Sequence, residues 1–254
     1  MLSAQNLSYR IGKSILVDSV NLELNKGEVV ALVGANGAGK TTLLRLLSGE
    51  LEPTQGVIYL DGQPLYQLSP RQLARKRAVM RQHIFLNFDF TAYDVVMMGR
   101  HPHIRTVATH KDHQIADAML QRTETDPLRD QLYATLSGGE KSRVTLARVL
   151  AQETPILLLD EPTSTMDLRH QQMTMRLARN LADQGGTVLA VLHDLNLAAM
   201  YADRIGMMIK GQLVAIDTPQ QVLTTQHIEA VFNLTVRILE HPDHHCPLVV
   251  PIAT

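Results

Sequence analysis

Three observations predict an α/β fold for this sequence. Val29-Val30-Ala31-Leu32-Val33 is an unbroken apolar run, followed at once by the glycine-rich stretch Gly34 to Gly39 and then by helix formers from Thr42 to Leu47. Two more short apolar runs, Ile156 to Leu159 and Thr187 to Leu192, flank a helical stretch around Leu168 to Leu181. Between these blocks, from about residue 69 to 150, strand-like runs vanish and Pro70, Pro102 and Pro127 punctuate helical segments. Strands without polar alternation are covered on both faces, as in parallel sheets. The reading is a mostly parallel sheet interrupted by a helical insertion.

The elements follow in order. Val20, Leu22 and Leu24 alternate with polar neighbours, the pattern of a half-buried strand. Val57 to Leu60 ends at Asp61-Gly62, a strong hairpin dipeptide. The first 65 or so residues are therefore β-rich, with one helix after the glycine stretch. Residues 1–82 and 151–235 form the sheet-bearing core, 83–150 the helical insertion and 236–254 a tail. The 254 residues carry 24 Lys plus Arg against 25 Asp plus Glu, a formal charge of −1. A dedicated nucleic-acid binder carries a basic excess, so that class is disfavoured. Cys246 is the single cysteine, which excludes an internal disulfide and a multi-cysteine zinc site. No apolar run approaches the roughly 18 residues of a membrane span, and Met1 to Ile11 lacks a signal-peptide core. A soluble protein is expected.

Gly34-Ala35-Asn36-Gly37-Ala38-Gly39-Lys40-Thr41 matches G-x-x-x-x-G-K-[ST] between an apolar strand and a helix, the context that motif requires. Glycines let successive backbone N–H groups turn toward phosphates. The helix beginning near Lys40 adds its positive end. Lys40 places a cation on β- and γ-phosphates, and the Thr41 hydroxyl can ligate Mg²⁺. A nucleoside triphosphate site follows. Ile156 to Leu159 runs into Asp160-Glu161: Asp160 is placed to hold Mg²⁺, and Glu161 to polarise an attacking water as general base. The third strand ends at His193-Asp194. Gly34, Asp160 and His193 thus sit at the carboxyl ends of strands, where open α/β sheets bind ligands.

Leu136-Ser137-Gly138-Gly139-Glu140 closely resembles the signature motif of the ATP-binding cassette (ABC) ATPases, and lies upstream of the Asp160-Glu161 strand as in that family. The resemblance extends over almost the entire chain. Gln82 is similar to the Q-loop glutamine, Ser164-Thr165-Met166-Asp167 to the D-loop, and His193 to the switch histidine. Tyr9 stands where the family has an aromatic that stacks on adenine. The family implies a P-loop cassette with a RecA-like core, an N-terminal antiparallel β subdomain and a helical signature subdomain. It implies ATP and Mg²⁺, with Gly34, Asn36, Gly37, Gly39, Lys40, Thr41 and Thr42 around the phosphates, Thr41, Gln82 and Asp160 on the metal, and Glu161, Gln82 and His193 in catalysis. Ser137, Gly138, Gly139 and Asp167 would serve the nucleotide of a second cassette. One P-loop and one signature in one chain imply a homodimer that closes on ATP. Two departures stand out: Glu140 where Gln is commonest, and Met166 where Ala is usual.

Without a membrane segment, the resemblance implies two separate permease subunits, reached by a periplasmic substrate-binding protein, and a place on the cytoplasmic face of the bacterial inner membrane. Phe85, Phe88 and Phe90 are three of four phenylalanines, and with Tyr93, Met97 and Met98 they suit either a cleft for the permease's coupling helix or the core of the helical subdomain. Arg81-Gln82-His83, Gly99-Arg100, Ser142-Arg143-Val144 and Leu146 to Gln152 resemble the importers of iron-siderophores, vitamin B12 and haem, with Asp126-Pro127-Leu128 and the tail Pro247-Leu248-Val249 pointing to the haem branch. Siderophore or vitamin B12 import is the alternative. An exporter cassette is a more distant one, and a DNA-acting cassette lacks room here for a coiled-coil arm. Helix Gly138 onward is expected to bury Val144, Ala147 and Leu150. The histidine-rich segments His101-Pro102-His103 and His241 to Cys246 read as exposed loop and tail, with a soft-metal site as the competing idea.

Overall fold

The structure, a computed structural model, describes residues 1–81 and 89–252. In chain order its elements are β1 (Leu2–Ile11), β2 (Ser14–Leu24), β3 (Val29–Gly34), α1 (Lys40–Leu47), β4 (Gln55–Leu60), β5 (Gln63–Pro64), α2 (Pro70–Lys76), β6 (Arg77–Met80), α3 (Ala92–Met98), α4 (His110–Arg122) and α5 (Gly138–Ala151). Then follow β7 (Ile156–Asp160), α6 (Leu168–Asp183), β8 (Thr187–Val191), α7 (Leu195–Tyr201), β9 (Arg204–Ile209), β10 (Gln212–Asp217), α8 (Pro219–Val222), α9 (Thr225–Phe232), β11 (Val236–Glu240) and β12 (Pro247–Pro251). Two compact units emerge, Met1–Gln67 with Arg179–Thr254, and Leu68–Ala178. The second is wider at both ends than the expected insertion 83–150. It takes in β6 and β7, which pair with each other in parallel from Arg77↔Ile156 to Met80↔Leu159.

In the first unit, β3 is buried at every residue, as its apolar run requires. It lies parallel to β8 on one side, Val29↔Val188 through Leu32↔Val191, and to β9 on the other. The antiparallel sheet β2-β1-β4-β5 carries the alternation read from Val20, Leu22 and Leu24, all buried. Its last turn is Asp61-Gly62, with Leu60 opposite Gln63. Arg179 ties this unit's carboxyl-terminal half to its amino-terminal half, donating to Asp183, Asp203 and the Gly27 carbonyl. Residues 236–251, expected as a tail, form a hairpin, β11 against β12. Its connection is a turn in which the Nδ1 atom of His241 accepts from the backbone N–H groups of Asp243 and His244. Among the described residues no group of three or more His, Cys, Asp or Glu is placed to hold a metal ion; His241 serves the turn as an acceptor, and His245 bonds Glu240.

In the second unit, α3, α4 and α5 enclose a core of Ala92, Val95, Val96, Ala116, Leu120, Val144, Ala147 and Ala151. Ala151 takes the place expected for Leu150, which is half-buried; the stripe runs three and then four residues, as a 3.6 period demands. Phe90, Tyr93 and Met97 pack against this core. Gly99 is required by close approach, since a Cβ there would lie 2.1 Å from the Arg148 carbonyl oxygen. Arg100 beside it donates to Asp112 at 3.0 Å, the Ala151 carbonyl at 2.7 Å and Glu153 at 2.9 Å. His103 donates to the Gln152 carbonyl at 2.8 Å, so it too is structural. The short strand β6 lies where only helical stretches were expected, because four residues give too little alternation to read.

Candidate functional site

The loop between β3 and α1 requires glycine at its last position. Gly39 stands at φ 97°, and a Cβ there would lie 2.3 Å from the Leu16 carbonyl oxygen. Only glycine fits both the backbone angle and the space. Lys40, 5% exposed, opens α1 and donates from Nζ to the carbonyls of Gly34 (2.7 Å) and Ala35 (3.0 Å). Its ammonium is therefore held over the loop's own backbone. Asn36, Gly37 and Thr41 face solvent, and Thr42 is half-buried. Tyr9 on β1 pairs with Val17, next to the Leu16 carbonyl that abuts Gly39, so the register brings this aromatic's strand to the loop.

β8 delivers His193 to the same place. Leu32 lies opposite Val191, and the Leu192 N–H donates to the Leu32 carbonyl at 3.0 Å, so the chain leaves β8 beside the start of the glycine loop. His193 is exposed, and Asp194 behind it caps α7 by accepting from Asn196 and Leu197.

In the second unit, β7 ends at Asp160, buried, and Glu161 follows at φ 49°. A non-glycine residue in the left-handed region costs energy, and such positions gather at functional sites. The Glu161 carbonyl accepts from both the N–H and the hydroxyl of Ser164, which turns the chain into 164–167. Thr165 then reaches α5: its hydroxyl bonds the Ser142 hydroxyl (2.8 Å) and donates to the Gly138 carbonyl (3.3 Å). Met166 is buried, and its sulfur accepts from the Thr174 hydroxyl, which accounts for a large residue where alanine is usual.

Ser137 caps α5 in a reciprocal box with Glu140. The Ser137 N–H and hydroxyl donate to Glu140 Oε2 at 2.8 and 2.7 Å, and the Glu140 N–H donates back to Oγ. These bonds from Ser137 hold the Glu140 carboxyl below its usual range. Ser137, Gly138, Gly139, Arg143, Asp167 and His170 line a cleft of about 510 Å³. Asp167 is likewise held below the ordinary carboxyl value, chiefly by the His170 backbone N–H.

The geometry meets known proteins at every level. The family profile for ABC transporter matches residues 17–164. The chain belongs to the ABC transporter family. It is 46% identical over its whole length to a protein of Gloeobacter violaceus named hemin import ATP-binding protein HmuV, covering 95% of that protein. It is 45% identical over 99% of its length to the Thermobifida fusca protein of the same name, covering 89% of it. Among solved structures it resembles a chain described as an ABC transporter of metal-chelate type in an inward-facing conformation, at TM-score 0.84 and 29% identity over 99% of this chain and 97% of that one. It also resembles an ATP-binding cassette solved as a dimer after hydrolysis with ADP and Pi, at TM-score 0.78 and 27% identity over 86% and 98%.

Within this cassette the first unit brings together Tyr9, the Gly34–Thr42 loop and His193. The second brings together Ser137, Gly138, Gly139 and Asp167, and sets Asp160-Glu161 six residues upstream of Asp167. Gln82, with Phe85 and Phe88, lies outside the described residues. Sequence reasoning missed His170 and Arg143 as cleft residues, and Glu124 behind them; the signal available was the i, i+3 spacing of Asp167 and His170 at a helix start. It also missed that Ser137 and Glu140 form a capping box, which the S-x-x-E spacing announces. No described helix is long and apolar enough to cross a membrane.

Proposed function

We propose that this chain is the ATP-binding and ATP-hydrolysing subunit of a bacterial ABC importer. It would work as a homodimer on two permease subunits at the cytoplasmic face of the inner membrane, with haem delivered by a periplasmic binding protein. The observation that carries this reading is the Lys40 ammonium fixed over a glycine loop that shares one sheet edge with His193.

In this reading the ATP phosphates take the N–H groups of residues 34–41 and the positive end of α1. Lys40 exchanges the Gly34 and Ala35 carbonyls for β- and γ-phosphate oxygens, and Tyr9 stacks on adenine. The Thr41 hydroxyl, the Gln82 side chain and the Asp160 carboxylate are hard oxygen donors, the set that suits Mg²⁺. That ion, when bound, neutralises charge across the phosphates. Glu161 accepts the proton of the attacking water; its left-handed backbone at the end of β7 supports a functional role. His193 hydrogen-bonds the γ-phosphate. From the second cassette, the Ser137 hydroxyl and the N–H groups of Gly138 and Gly139 bind the same phosphate, with Asp167 beside them.

The relatives named for hemin import support haem as cargo. The likeness to a metal-chelate type transporter favours an iron-siderophore as the second reading. The test is ATPase activity of the chain reconstituted with its membrane partner and stimulated by a binding protein loaded with haem, a siderophore or vitamin B12. Stimulation by haem is expected; stimulation by another ligand alone overturns the cargo and leaves the motor intact.

A further inference from the structure

Asp167 sits on a loop with its side chain 66% exposed, where an aspartate ordinarily samples several rotamers. Here its Oδ1 takes two bonds from one residue. The His170 backbone N–H donates at 2.9 Å, the cap that any residue at that position could supply. The His170 ring adds a bond from Nδ1 at 2.8 Å, which only this side chain supplies. An ionised carboxylate only accepts, so Nδ1 carries the proton and the tautomer is fixed. Both bonds fall on Oδ1, which leaves the lone pairs of Oδ2 for a further donor.

The ring is held from its other side as well. It is 17% exposed, and Nε2 faces Glu124 Oε2 at 3.7 Å. Glu124 is itself fixed: Arg169 binds its carboxylate at 2.7 Å, and its carbonyl accepts from Arg143 at 2.9 Å. Arg143 belongs to α5 and lines the same cleft as Ser137 and Gly139. A chain of contacts therefore runs from α5 through Glu124 and the imidazole to the Asp167 carboxylate.

We propose that His170 is a positioning residue for ATP hydrolysis, its Nδ1–H fixing the Asp167 carboxylate at the cleft beside Ser137 to Gly139. This rests on the reading of Asp167 as part of the nucleotide site of the closed dimer. The ring holds the carboxylate in one orientation before the dimer closes, so the ordering cost does not fall on the reacting complex.

The two ring nitrogens can be tested separately in the full-length chain. His170→Ala should lower kcat for ATP about tenfold while KM moves within about twofold. His170→Asn places an amide N–H where Nδ1 stood and should restore most of kcat. His170→Gln places it near Nε2, toward Glu124, and should not. Melting temperatures of the Asn and Gln variants read alongside separate positioning from folding. A His170→Ala kcat within about twofold of wild type, or Asn and Gln variants that recover equally, fail equally or recover in the reverse order, overturns the proposal. Asp167→Ala is the control for the underlying reading: unimpaired turnover there removes Asp167 from the site. An impaired Asp167→Ala beside an unaffected His170→Ala removes only His170.

Discussion

The helix behind the glycine loop and the helix behind Ser137 begin in opposite ways. α1 starts from Gly39, which brings no side chain, and its first turn has no acidic residue. No side chain of the capping residue and no carboxylate in the first turn occupies that positive end. α5 starts from Ser137, and Glu140 closes a box on it, so a carboxylate already occupies that end. The contrast extends across the second unit, where α2, α3, α4 and α5 all open with such boxes: Ser69 with Gln72, Thr91 with Asp94, Thr109 with Asp112, and Ser137 with Glu140. The first unit starts α1 without a side-chain cap. The second builds helix ends that complete themselves, so on the proposed reading the Ser137 hydroxyl could meet a nucleotide only by releasing part of a bond it already has.

The largest effects should fall at the open end and its chemistry. Lys40→Ala should lower kcat/KM for ATP by about a thousandfold, read as both lost turnover and lost nucleotide binding in calorimetry. Glu161→Gln should cut turnover at least about a hundredfold while ATP stays bound and the dimer persists on a sizing column. Wild-type turnover in that variant would remove Glu161 as the base. Neither change should disturb the melting of the self-capped helices.

A smaller effect tests the closed ends through the one box that is also buried. Asp112 is 6% exposed, caps α4 with Thr109 and pairs with Arg100. The Thr109 hydroxyl and backbone bonds, with Arg100 behind them, lower its pKa to about 2. A lowered carboxyl pKa stabilises the fold fully above the ordinary value and loses that contribution as pH falls toward the folded one. Asp112→Asn should therefore cost roughly 3 kcal/mol near neutral pH in urea unfolding, since it leaves the Arg100 cation buried with a partner removed. The gap between variant and wild type should narrow from about pH 4 down to about pH 2.

The open end was the legible one. Eight residues from Gly34 to Thr41 and an apolar strand before them carry the phosphate-loop pattern by local chemistry alone, and the hairpin at Asp61-Gly62 is equally local. β9 and β10 were not read, although Ile205 to Ile209 is as apolar as β3, because no phosphate motif follows to mark it. The hairpin β11–β12 reads as a tail in the sequence because its connection, His241 to Cys246, lacks the Asn-Gly or Asp-Gly signal that marks the turn at Asp61-Gly62. At the cleft, the His170–Glu124 contact spans 46 residues, and no periodicity links them. The cap boxes are local and were there to be found; the motif's likeness to a known signature drew the reading of Ser137 toward the nucleotide and away from the helix it starts.

Next in size is the cap itself. Ser137→Ala removes the hydroxyl from the α5 box and should cost about 1 kcal/mol of stability in the second unit. It should also slow hydrolysis, while ATP affinity of the monomer, which on the proposed reading does not use Ser137, stays within about twofold. A Ser137→Ala chain with weakened monomer affinity would erase the distinction between the two ends.

The finest probe changes charge and nothing else. Glu140→Gln keeps an acceptor for the Ser137 N–H and hydroxyl, so the box survives and melting should move by no more than a few tenths of a kcal/mol. What goes is a carboxylate held ionised beside the N–H groups of Gly138 and Gly139. A negative charge there competes with phosphate for the same helix end. Glu140→Gln should accordingly strengthen ATP-dependent dimerisation in the Glu161→Gln background by about threefold, with the difference fading at high salt. An unchanged dimer would mean that Glu140 acts only as a cap and that the two helix ends differ in geometry alone. A stronger dimer would mean that the chain keeps its second phosphate end deliberately weak, so that the cassettes part once the nucleotide is spent.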